Sequence, residues 1–371
     1  MMRIAWISPG YPPEPGGVSD HSFALVSALR GLGHDVLVRS NPQETGFARL
    51  DAELAAFRPE VVVVAYVPLG YAPRSGGIAP RFALWCSQLR RKLAAHTLLL
   101  AHEANLPAGE HLRRGELKLA LLGAVHIAQF ESLVRSFSSV AFSHEGNRQI
   151  WANRVPSRSA HFHTLRICSN IPKVASDDPT DDLRLAGYAA TSPTVLFFGT
   201  GHSSVLFDYV EAAFTAISHL TPDAQLVLVG MDSAQLRRAR PSLWARGAQV
   251  QALGGLPGRD VSLWLQASQL VLAPFVEGIS ARRGTVMAAM QHGRAVVTTS
   301  GFHTRADVPW DKICALSPLR SSAFADTAAR CWNDQSFRHS LGLAAQEDYD
   351  SHASSRVTAT RLLAIATGPV T

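Results

Sequence analysis

The side chains best suited to chemistry in this 371-residue chain lie close together, between residues 274 and 299. One carboxylate, Glu277, follows a buried apolar run and precedes Arg282 and Arg283, which stand at the predicted start of a helix. A helix start favours anions, and each cation placed there opposes the helix dipole by about 0.3–1 kcal/mol. Two arginines at this position therefore indicate an anionic partner such as a phosphate or pyrophosphate, and the alternative is a solvated helix start. The predicted phosphate-binding residues are Arg282, Arg283, Gly284 and Thr285.

A second set of candidates follows the first predicted strand, in a proline-rich loop that contains Tyr11 and ends in paired glycines. Gly16 and Gly17 stand where a helix begins, and glycines let a backbone approach a ligand closely with its N–H groups exposed. Such a site suits phosphate or sugar oxygens. The alternative is a rigid loop whose glycines only make a tight turn, with Ser19 or Asp20 capping the helix.

Two histidines follow predicted strands in the first half of the chain. His102 comes directly after an apolar run, with Glu103 and Asn105 beside it, and His144 has the same context after the next run. Polar groups past the carboxyl ends of parallel strands lie where such sheets bind ligands. A packed or surface histidine is the alternative for His102. A helix N-cap with an acidic first turn explains His144 equally well.

Glycine-containing turns also follow strands in the second half of the chain. The first turn consists of Gly199, Thr200, Gly201 and His202. It offers backbone donors and hydroxyls at a helix start, but it lacks the third spaced glycine of a dinucleotide fingerprint, and the Walker pattern is absent too. A further turn with Gly254 and Leu256 is suited to cup a nucleobase, although a plain strand-to-helix connection accounts for it as well.

The elements that position these residues alternate regularly. Runs rich in Val, Ile and Leu are separated by segments of helical period, before and again after a bridge at residues 170–193. This alternation is typical of parallel sheets covered on both faces by helices. It predicts an α/β chain of two doubly wound, Rossmann-like domains facing a central cleft. The predicted boundaries are 1–172 for the first domain, 173–350 for the second and 351–371 for a closing helix.

Composition narrows the classes of protein. Apolar residues make up 47% of the chain, which is enough for more than one core. Four widely spaced cysteines form neither a disulfide framework nor a zinc pattern, and a reducing cytosol fits them best. The formal charge of +6 is modest for this length, and no basic block with interleaved aromatics occurs. Nucleic acid is therefore not an expected partner.

The hydropathy pattern adds an expectation about location. The opening residues lack the apolar core and cleavage site of a signal peptide. No apolar stretch approaches the roughly 20 residues that span a bilayer, and His126 interrupts the longest one. We therefore expect a cytoplasmic protein that does not cross a membrane.

Five segments carry a family signature through their order and spacing, although each alone is weak. They are Pro-Pro-Glu-Pro-Gly-Gly-Val at 12–18, Phe-Phe-Gly at 197–199, Leu-Val-Leu-Val-Gly at 226–230, Ala-Pro-Phe-Val-Glu-Gly at 273–278 and His-Gly-Arg-Ala-Val-Val-Thr-Thr at 292–299. Together they cover nearly the whole chain and resemble the retaining family 4 glycosyltransferases of the GT-B fold. The resemblance implies an enzyme that moves a sugar from a nucleotide diphosphate to a hydroxyl group and retains the anomeric configuration.

The resemblance also implies roles for individual residues. Gly16 and Gly17 match glycines that approach the donor diphosphate, His102 matches a histidine near the transferred sugar, and Glu277 matches the first glutamate of an E-x7-E motif that contacts this sugar. The predicted catalytic residues are therefore His102 and Glu277. Such enzymes use the nucleotide sugar as co-substrate, with no cofactor and usually no bound metal. The sequence agrees, because it has no Asp-x-Asp pair flanked by strands to hold a divalent ion.

Three positions depart from the family pattern. Thr285 stands where a second glutamate holds the ribose hydroxyls, and Thr200 and Val205 stand where a basic pair follows the Phe-Gly strand. We hypothesise that Arg282 and Arg283 took over the phosphate role, because a pyrophosphate without cations in a low-dielectric site is unfavourable by several kcal/mol. Thr285 also allows a deoxyribose donor, which has fewer hydroxyls to bind.

The acceptor is open at this stage. The acceptor-side candidates are Tyr11, Glu103, Asn105 and His144. Arg113, Arg114 and Lys118 precede an apolar run, and a basic, apolar helix suits a lipid-linked acceptor and peripheral contact with the inner face of a membrane. An ordinary buried helix with a charged end is the simpler interpretation. A glycan and a small molecule are the other acceptor classes.

Two rival functions fit the same architecture. One is a nucleotide-sugar epimerase or a phosphorylase-like enzyme, and the other is a catalytically silent binding or scaffold protein. Retention of Glu277, His102 and the paired glycines argues against a silent site. A silent protein would bind the donor without releasing nucleotide, so nucleotide release separates the two classes.

Overall fold

The computed structural model describes residues 1–14, 16–72, 75–104, 116–190, 193–199 and 204–368. The chain divides into two compact units. Unit 1 comprises Met1–Cys168 together with Ser355–Thr371, and unit 2 comprises Ser169–Ser354. The first boundary thus falls a few residues before the predicted one, and the final helix belongs to unit 1.

Unit 1 is built on one six-stranded sheet in which every pairing is parallel. Its strands are β1 (Arg3–Ser8), β2 (Asp35–Ser40), β3 (Val61–Tyr66), β4 (His96–Ala101), β5 (Ser139–Phe142) and β6 (Phe162–Thr164). Their order across the sheet is β2-β1-β3-β4-β5-β6. Every residue of β3 is buried, as expected for a strand covered on both faces.

Helices cover both faces of this sheet. They are α1 (Gly17–Gly31), α2 (Pro42–Thr45), α3 (Phe47–Phe57), α4 (Pro80–Lys92), α5 (Leu117–Ser136), α6 (Glu145–Arg154) and the C-terminal helix (Ser355–Thr367). Successive residues of β1 alternate between the two cores: Ile4 and Trp6 pack with α1 and the C-terminal helix, whereas Ala5 and Ile7 lie in the core with α3 to α6. This alternation follows from the two-residue period of a strand.

Unit 2 repeats the architecture with another parallel sheet of six strands. Its strands are β7 (Thr194–Phe198), β8 (Gln225–Val229), β9 (Val250–Gly254), β10 (Leu270–Ala273), β11 (Val296–Thr299) and β12 (Ala315–Ser317). Their order, β12-β11-β10-β7-β8-β9, is that of the Rossmann fold. The helices are α7 (Pro179–Leu185), α8 (Phe207–Leu220), α9 (Ser233–Ala239), α10 (Pro241–Trp244), α11 (Gly258–Ala267), α12 (Gly284–Gln291), α13 (Trp310–Ile313), α14 (Ser321–Asn333) and α15 (Gln335–His352).

The structure confirms the predicted α/β class with two doubly wound, Rossmann-like sheets. The sequence did not reveal β6 and β12, because three residues at a sheet edge are too short to form an apolar run. The expected bridge at 170–193 contains α7, whose N-cap Asp178 accepts hydrogen bonds from the next two N–H donors in its first turn. The closing helix begins at Ser355 rather than at Ser351, because Ser351 and His352 still belong to α15.

One helix among the described residues, α5, is long and apolar enough to cross a membrane by length and composition. Its mean hydropathy is 1.4, and 33% of its apolar window is buried. This corrects the expectation that no stretch reaches spanning length. Core helices of soluble proteins pass the same test of length and composition. His126, which interrupts the apolar run, is fully buried and forms a 2.7 Å hydrogen bond with the Gly76 carbonyl.

Candidate functional site

Each sheet has a point at which its strand order reverses. In unit 2 this point lies between β7 and β10, which pair in parallel through Val195 and Leu196. In unit 1 it lies between β1 and β3. Open α/β sheets bind ligands outside the carboxyl ends of the strands at such a reversal. The predicted loops after β1, β7 and β10 all leave the sheets at these points.

The loops that follow β7 and β10 are joined to each other. The Val276 N–H donates to the Ser204 carbonyl at 2.9 Å, and Val205 and Phe275 form an antiparallel bridge. Backbone hydrogen bonds of this kind fix the two loops relative to the sheet. They form one rim at the carboxyl edge of unit 2, and this rim carries the predicted carboxylate and arginines.

Two guanidinium groups converge on one carboxylate at this rim. Arg283 Nη2 lies 2.6 Å from Glu277 Oε2, and Arg282 Nη2 lies 3.5 Å from the same oxygen. Arg283 also donates to the Ser204 hydroxyl at 3.1 Å, and its guanidinium carbon lies 4.2 Å from the centre of the Phe275 ring. The arginine side chains are only 18% and 15% exposed. Fixed, partly desolvated guanidinium groups are well suited to phosphate oxygens.

The arginine pair directly precedes α12. Arg283 is the N-cap residue and makes no side-chain capping bond, and the first turn of this helix holds no acidic residue. The positive end of the helix dipole therefore reinforces the arginines. A Cβ built on Gly199 would lie 3.9 Å from Thr285 Cγ2, so the predicted turn after β7 lies beside this first turn. The structure thus brings Gly199, Arg283, Gly284 and Thr285 together.

A third loop, which follows β11, packs against Glu277 and was not predicted. A Cβ on Gly278, whose φ is +82°, would lie 2.3 Å from the Gly301 nitrogen, and a Cβ on Gly301 would lie 2.7 Å from the Glu277 carbonyl. The His303 N–H donates to that carbonyl at 2.8 Å. Two glycines therefore permit the backbone contact that holds Glu277 in place. The sequence carries no distinct signal for this loop, because its contact with Glu277 arises only from the position of β11 next to β10.

His303 brings an uncharged imidazole to the arginine pair. Burial is the main reason why the pKa of His303 is lowered to about 4. The positive charges of Arg282, Arg283 and Arg305 also lower this pKa, while the negative charge of Glu277 raises it. At neutral pH the ring is therefore neutral and adds polar nitrogen atoms without further charge.

Gly254 and Leu256, two further predicted residues of unit 2, are not at the strand reversal. Thr200, Gly201 and His202 lie outside the described residues. Gly254 ends β9 with a φ of +67°, and its N–H donates to the Met231 carbonyl at 2.9 Å. Leu256 is half-buried in the turn before α11. Because β8 separates β9 from β7, Gly254 and Leu256 occupy the far end of the same sheet edge.

In unit 1 the predicted catalytic residue His102 lies beside a second histidine. The His21 and His102 rings meet edge to face, with their centroids 4.9 Å apart. Burial lowers the pKa of His102 to about 4 and, together with the charge of His102, holds the pKa of His21 well below its usual value. Among the described residues, the buried His102 Nε2 has no hydrogen-bond partner. His21 was not predicted, because it lies within the periodic pattern of α1.

Backbone and side-chain contacts hold this histidine pair. The Ser143 hydroxyl donates to the His102 carbonyl at 2.8 Å, and the His102 N–H donates to the Tyr66 carbonyl at 3.0 Å. The Cys168 N–H donates to His21 Nε2 at 3.4 Å. These contacts fix the backbone of His102 and the ring of His21, against which the His102 ring packs, and a fixed group suits the positioning of a substrate hydroxyl.

The paired glycines begin α1. Gly16 is its N-cap residue, and a Cβ on Gly16 or Gly17 would meet no atom within 4 Å. The backbone at this helix start is therefore open to close approach. The alternative in which Ser19 or Asp20 caps the helix is wrong, because both lie inside α1 and the Ser19 hydroxyl donates to the Glu14 carbonyl at 2.6 Å.

The acceptor-side candidates are scattered. Tyr11 packs against Phe23 with ring centroids 5.9 Å apart, and burial raises its pKa. His144 is the buried N-cap residue of α6, and the first turn of this helix is acidic, as the capping interpretation expects. Glu103 is exposed beside His102, and Asn105 lies outside the described residues.

Comparison with known proteins identifies the second half of the chain. The family model described as Glycosyl transferases group 1 matches residues 192–334, which contain the arginine pair and all six strands of unit 2. A curated relative, phosphatidyl-myo-inositol mannosyltransferase of Mycobacterium tuberculosis, is 25% identical over 312 residues, which is 80% of this chain and 78% of the relative. The similarity therefore extends well beyond the matched domain.

Two solved structures share the fold along almost the whole chain. Sucrose-phosphate synthase from Thermosynechococcus elongatus has a TM-score of 0.72 at 15% identity and covers 98% of this chain and 97% of its own. Anabaena HepE in complex with UDP and glucose has a TM-score of 0.65 at 14% identity and covers 98% of both chains. The family match, the relative and the shared fold agree: residues 192–334 form a Glycosyl transferases group 1 domain, and the chain is a glycosyltransferase with the GT-B fold.

Proposed function

We propose that this glycosyltransferase is metal-independent and retaining, and that it takes its sugar from a nucleotide diphosphate. The observation that carries the proposal is the convergence of Arg282 and Arg283 on Glu277, at the strand reversal of unit 2 and directly before α12. A pyrophosphate needs concentrated positive charge and fixed donors. The arginine pair and the helix start supply both.

Each residue of the arginine site has a role in the proposal. Arg282 and Arg283 bind the pyrophosphate together with the N–H groups at Gly284 and Thr285. Glu277 hydrogen-bonds hydroxyls of the transferred sugar, since a carboxylate accepts hydrogen bonds. His303 and the contact between Gly278 and Gly301 keep this carboxylate in place. The position and charge of these residues support the proposal.

The proposed reaction needs little covalent chemistry from the protein. The bond between the anomeric carbon and the phosphate oxygen breaks, a bond to the acceptor oxygen forms on the same face, and the acceptor proton passes to the departing phosphate oxygen. The arginine pair stabilises the charge that develops on that phosphate. Such a step depends on positioning, which the rigid rim of unit 2 is built to provide.

Metal independence is part of the proposal. In the parts of the chain that the structure describes, no group of three or more His, Cys, Asp or Glu side chains is placed to hold a metal ion. The arginine pair supplies the positive charge that a divalent cation supplies in other sites. We expect the same turnover in the presence of magnesium and of a chelator.

Unit 1 is proposed to serve the sugar and the acceptor. His102 presents a buried Nε2 atom and a neutral ring, which suits hydrogen bonding to a hydroxyl rather than to a phosphate.

A lipid-linked acceptor at the inner face of a membrane is supported by the curated relative, whose name specifies phosphatidyl-myo-inositol. Leu117 and Leu121, one turn apart at the start of α5, are 68% and 69% exposed next to Lys118. An exposed apolar and basic helix end of this kind can rest on anionic lipid.

The experiment that tests the function is a donor panel. The full chain is incubated with UDP-, GDP-, ADP- and dTDP-sugars and with crude lipid and glycan acceptors, and nucleoside diphosphate release is measured. We expect release with one donor class that increases with acceptor, and proton NMR of the product should show the anomeric configuration of the donor. Inversion would contradict the retaining mechanism. Binding without any release would favour the silent-protein alternative.

A further inference from the structure

Unit 2 has a cavity at the edge of its sheet opposite to the arginine pair. It has a volume of about 370 Å³, and its wall includes Gln269 and Ala295, which directly precede β10 and β11. The arginine pair follows the carboxyl end of β10, so the two sites lie at opposite ends of the same strands. This cavity is therefore separate from the proposed donor site.

The permanently charged side chains in the wall of this cavity are all positive. Its wall carries three permanent cations, Lys173, Arg294 and Arg338, and none of its described lining residues is Asp or Glu. The wall also includes the amide side chains of Gln335 and Gln346. Grouped cations with no carboxylate among them repel one another, and an anion relieves this repulsion.

The two arginines are held in place by the protein backbone. Arg294 donates through Nε to the His292 carbonyl at 3.1 Å and through Nη1 to the Ser268 carbonyl at 3.1 Å. Arg338 donates through Nη1 to the Cys331 carbonyl at 3.1 Å and lies 5.6 Å from the centre of the Trp332 ring. Because both side chains are already held in place, ligand binding does not have to order them, and this lower entropic cost favours affinity.

A buried histidine forms another part of the wall. His292 is buried, and its two ring nitrogens form hydrogen bonds with the Ser262 hydroxyl at 2.8 Å and the Ala288 carbonyl at 2.7 Å. Burial lowers the pKa of His292 to about 4, so the ring is an uncharged structural wall at neutral pH.

We propose that this cavity is a second binding site, for a small phosphorylated polyol or sugar. The three cations would hold the phosphate group, since guanidinium and ammonium groups are strong phosphate partners. The volume lies at the lower end of the range for small-molecule sites, roughly 300–1,000 Å³, and exceeds the space that a bare phosphate needs. The glutamine amides are suited to the hydroxyls of the remaining part of the ligand.

The test is a calorimetric titration of the full chain in phosphate-free buffer with inorganic phosphate, glycerol 3-phosphate and glucose 6-phosphate. We expect affinity to increase in that order and to persist when UDP or GDP saturates the donor site. Lys173→Gln should weaken glucose 6-phosphate binding about tenfold, because it removes one of three charge-assisted contacts. Lys173 is exposed, so this variant should fold normally.

The control variant is Lys312→Gln, which removes the same charge from an exposed position outside the cavity wall and should leave binding unchanged. Arg338→Gln is a second variant of the site and should also weaken binding. The proposal is overturned if none of the three ligands binds at millimolar concentration. Displacement by UDP or GDP, or equal weakening by Arg283→Gln, would place the phosphate at the donor site and overturn it as well. Binding of inorganic phosphate without binding of glycerol 3-phosphate or glucose 6-phosphate would contradict the proposal that the ligand is a phosphorylated polyol or sugar.

Discussion

The two units use the same sheet edge in opposite ways. At the carboxyl edge of unit 2, two permanent cations converge on one carboxylate, and a neighbouring histidine is neutral. At the carboxyl edge of unit 1, two histidines pack against each other, and burial keeps the pKa of both below its usual value. The arginine pair at one edge is charged, and the histidine pair at the other is neutral at physiological pH.

This difference suggests a division of labour on one architecture. A charged edge suits the pyrophosphate of a donor, whereas a neutral polar edge suits hydroxyl groups of a sugar or an acceptor. The fold alone does not decide this, since both sheets are parallel and doubly wound. The side chains on the loops decide it, as expected when function resides in sites added to a common fold.

The largest effect should come from removing one cation of unit 2. Arg283→Gln keeps a polar side chain but loses the charge that faces Glu277, and we expect kcat/KM to fall about 100-fold, the scale of losing one charge-stabilising group. Steady-state release of nucleoside diphosphate measures this. Arg237→Gln, at an exposed position on α9, is the matched control and should retain wild-type turnover. Equal turnover in both variants would show that the reaction does not depend on the positive charge of Arg283.

A loss of similar size, in stability rather than in turnover, is expected from disturbing the loop that supports Glu277. Gly278→Ala adds a Cβ at a φ of +82°, in contact with the Gly301 backbone. We expect a loss of about 2–4 kcal/mol in the free energy of unfolding of unit 2 and weaker donor binding. Urea denaturation followed by fluorescence measures the first effect.

The control for this variant isolates the steric contact. Gly187→Ala, also in unit 2, introduces similar backbone strain at a φ of +87°, but its Cβ would meet no atom within 4 Å. It should lower stability by only about 1 kcal/mol and leave donor binding intact. Similar losses in the two variants would show that the contact between Gly278 and Gly301 does not support the site.

The neutral edge of unit 1 predicts a pH dependence of stability. The pKa of His102 is about 4 in the folded chain, below the unfolded value of about 6.5, so the unfolded state binds the proton more readily. Its contribution to stability is therefore complete above pH 6.5 and is lost as the pH falls towards 4. We expect a loss of up to about 2 kcal/mol between pH 6.5 and 5. His102→Asn should flatten this part of the profile, and an unchanged profile would contradict the buried, neutral pair.

The smallest effect should be on turnover by the same substitution at neutral pH. His102→Asn keeps a hydrogen-bonding side chain, so we expect kcat to fall about tenfold, consistent with one altered hydroxyl contact. Affinity for the nucleoside diphosphate should not change, because His102 belongs to the neutral edge. A parallel loss of diphosphate affinity would contradict the proposal that unit 2 binds the diphosphate and unit 1 binds hydroxyl groups.

The sequence predicted more of the fold than of the site. Apolar runs such as Val61–Tyr66 predict a parallel sheet, because strands covered on both faces are uniformly apolar. Arg282 and Arg283 were found because arginines at a helix start conflict with the dipole, and Glu277 because it matches the first glutamate of an E-x7-E motif. These signals are local, and local signals can be read from a single chain.

The residues that were missed depend on contacts between distant segments. The loop after β11 reaches Glu277 only because β11 lies next to β10, and His21 reaches His102 from a different element of unit 1. Neither neighbour has a pattern of its own in the sequence. Gly254 and Leu256 were placed with the donor turns on the basis of their loop type, while the strand order puts them at the far end of the edge.

The central claim is that the arginine pair of unit 2 binds the diphosphate of a nucleotide sugar without a metal. Its most direct test is a calorimetric titration of the wild-type chain and of the Arg282→Gln, Arg283→Gln double variant with UDP, GDP, ADP, dTDP and CMP, in EDTA and in magnesium. The account predicts that one diphosphate binds the wild type equally well in both buffers and that the double variant loses this binding. Unchanged binding in the double variant, or binding that requires magnesium, would contradict it.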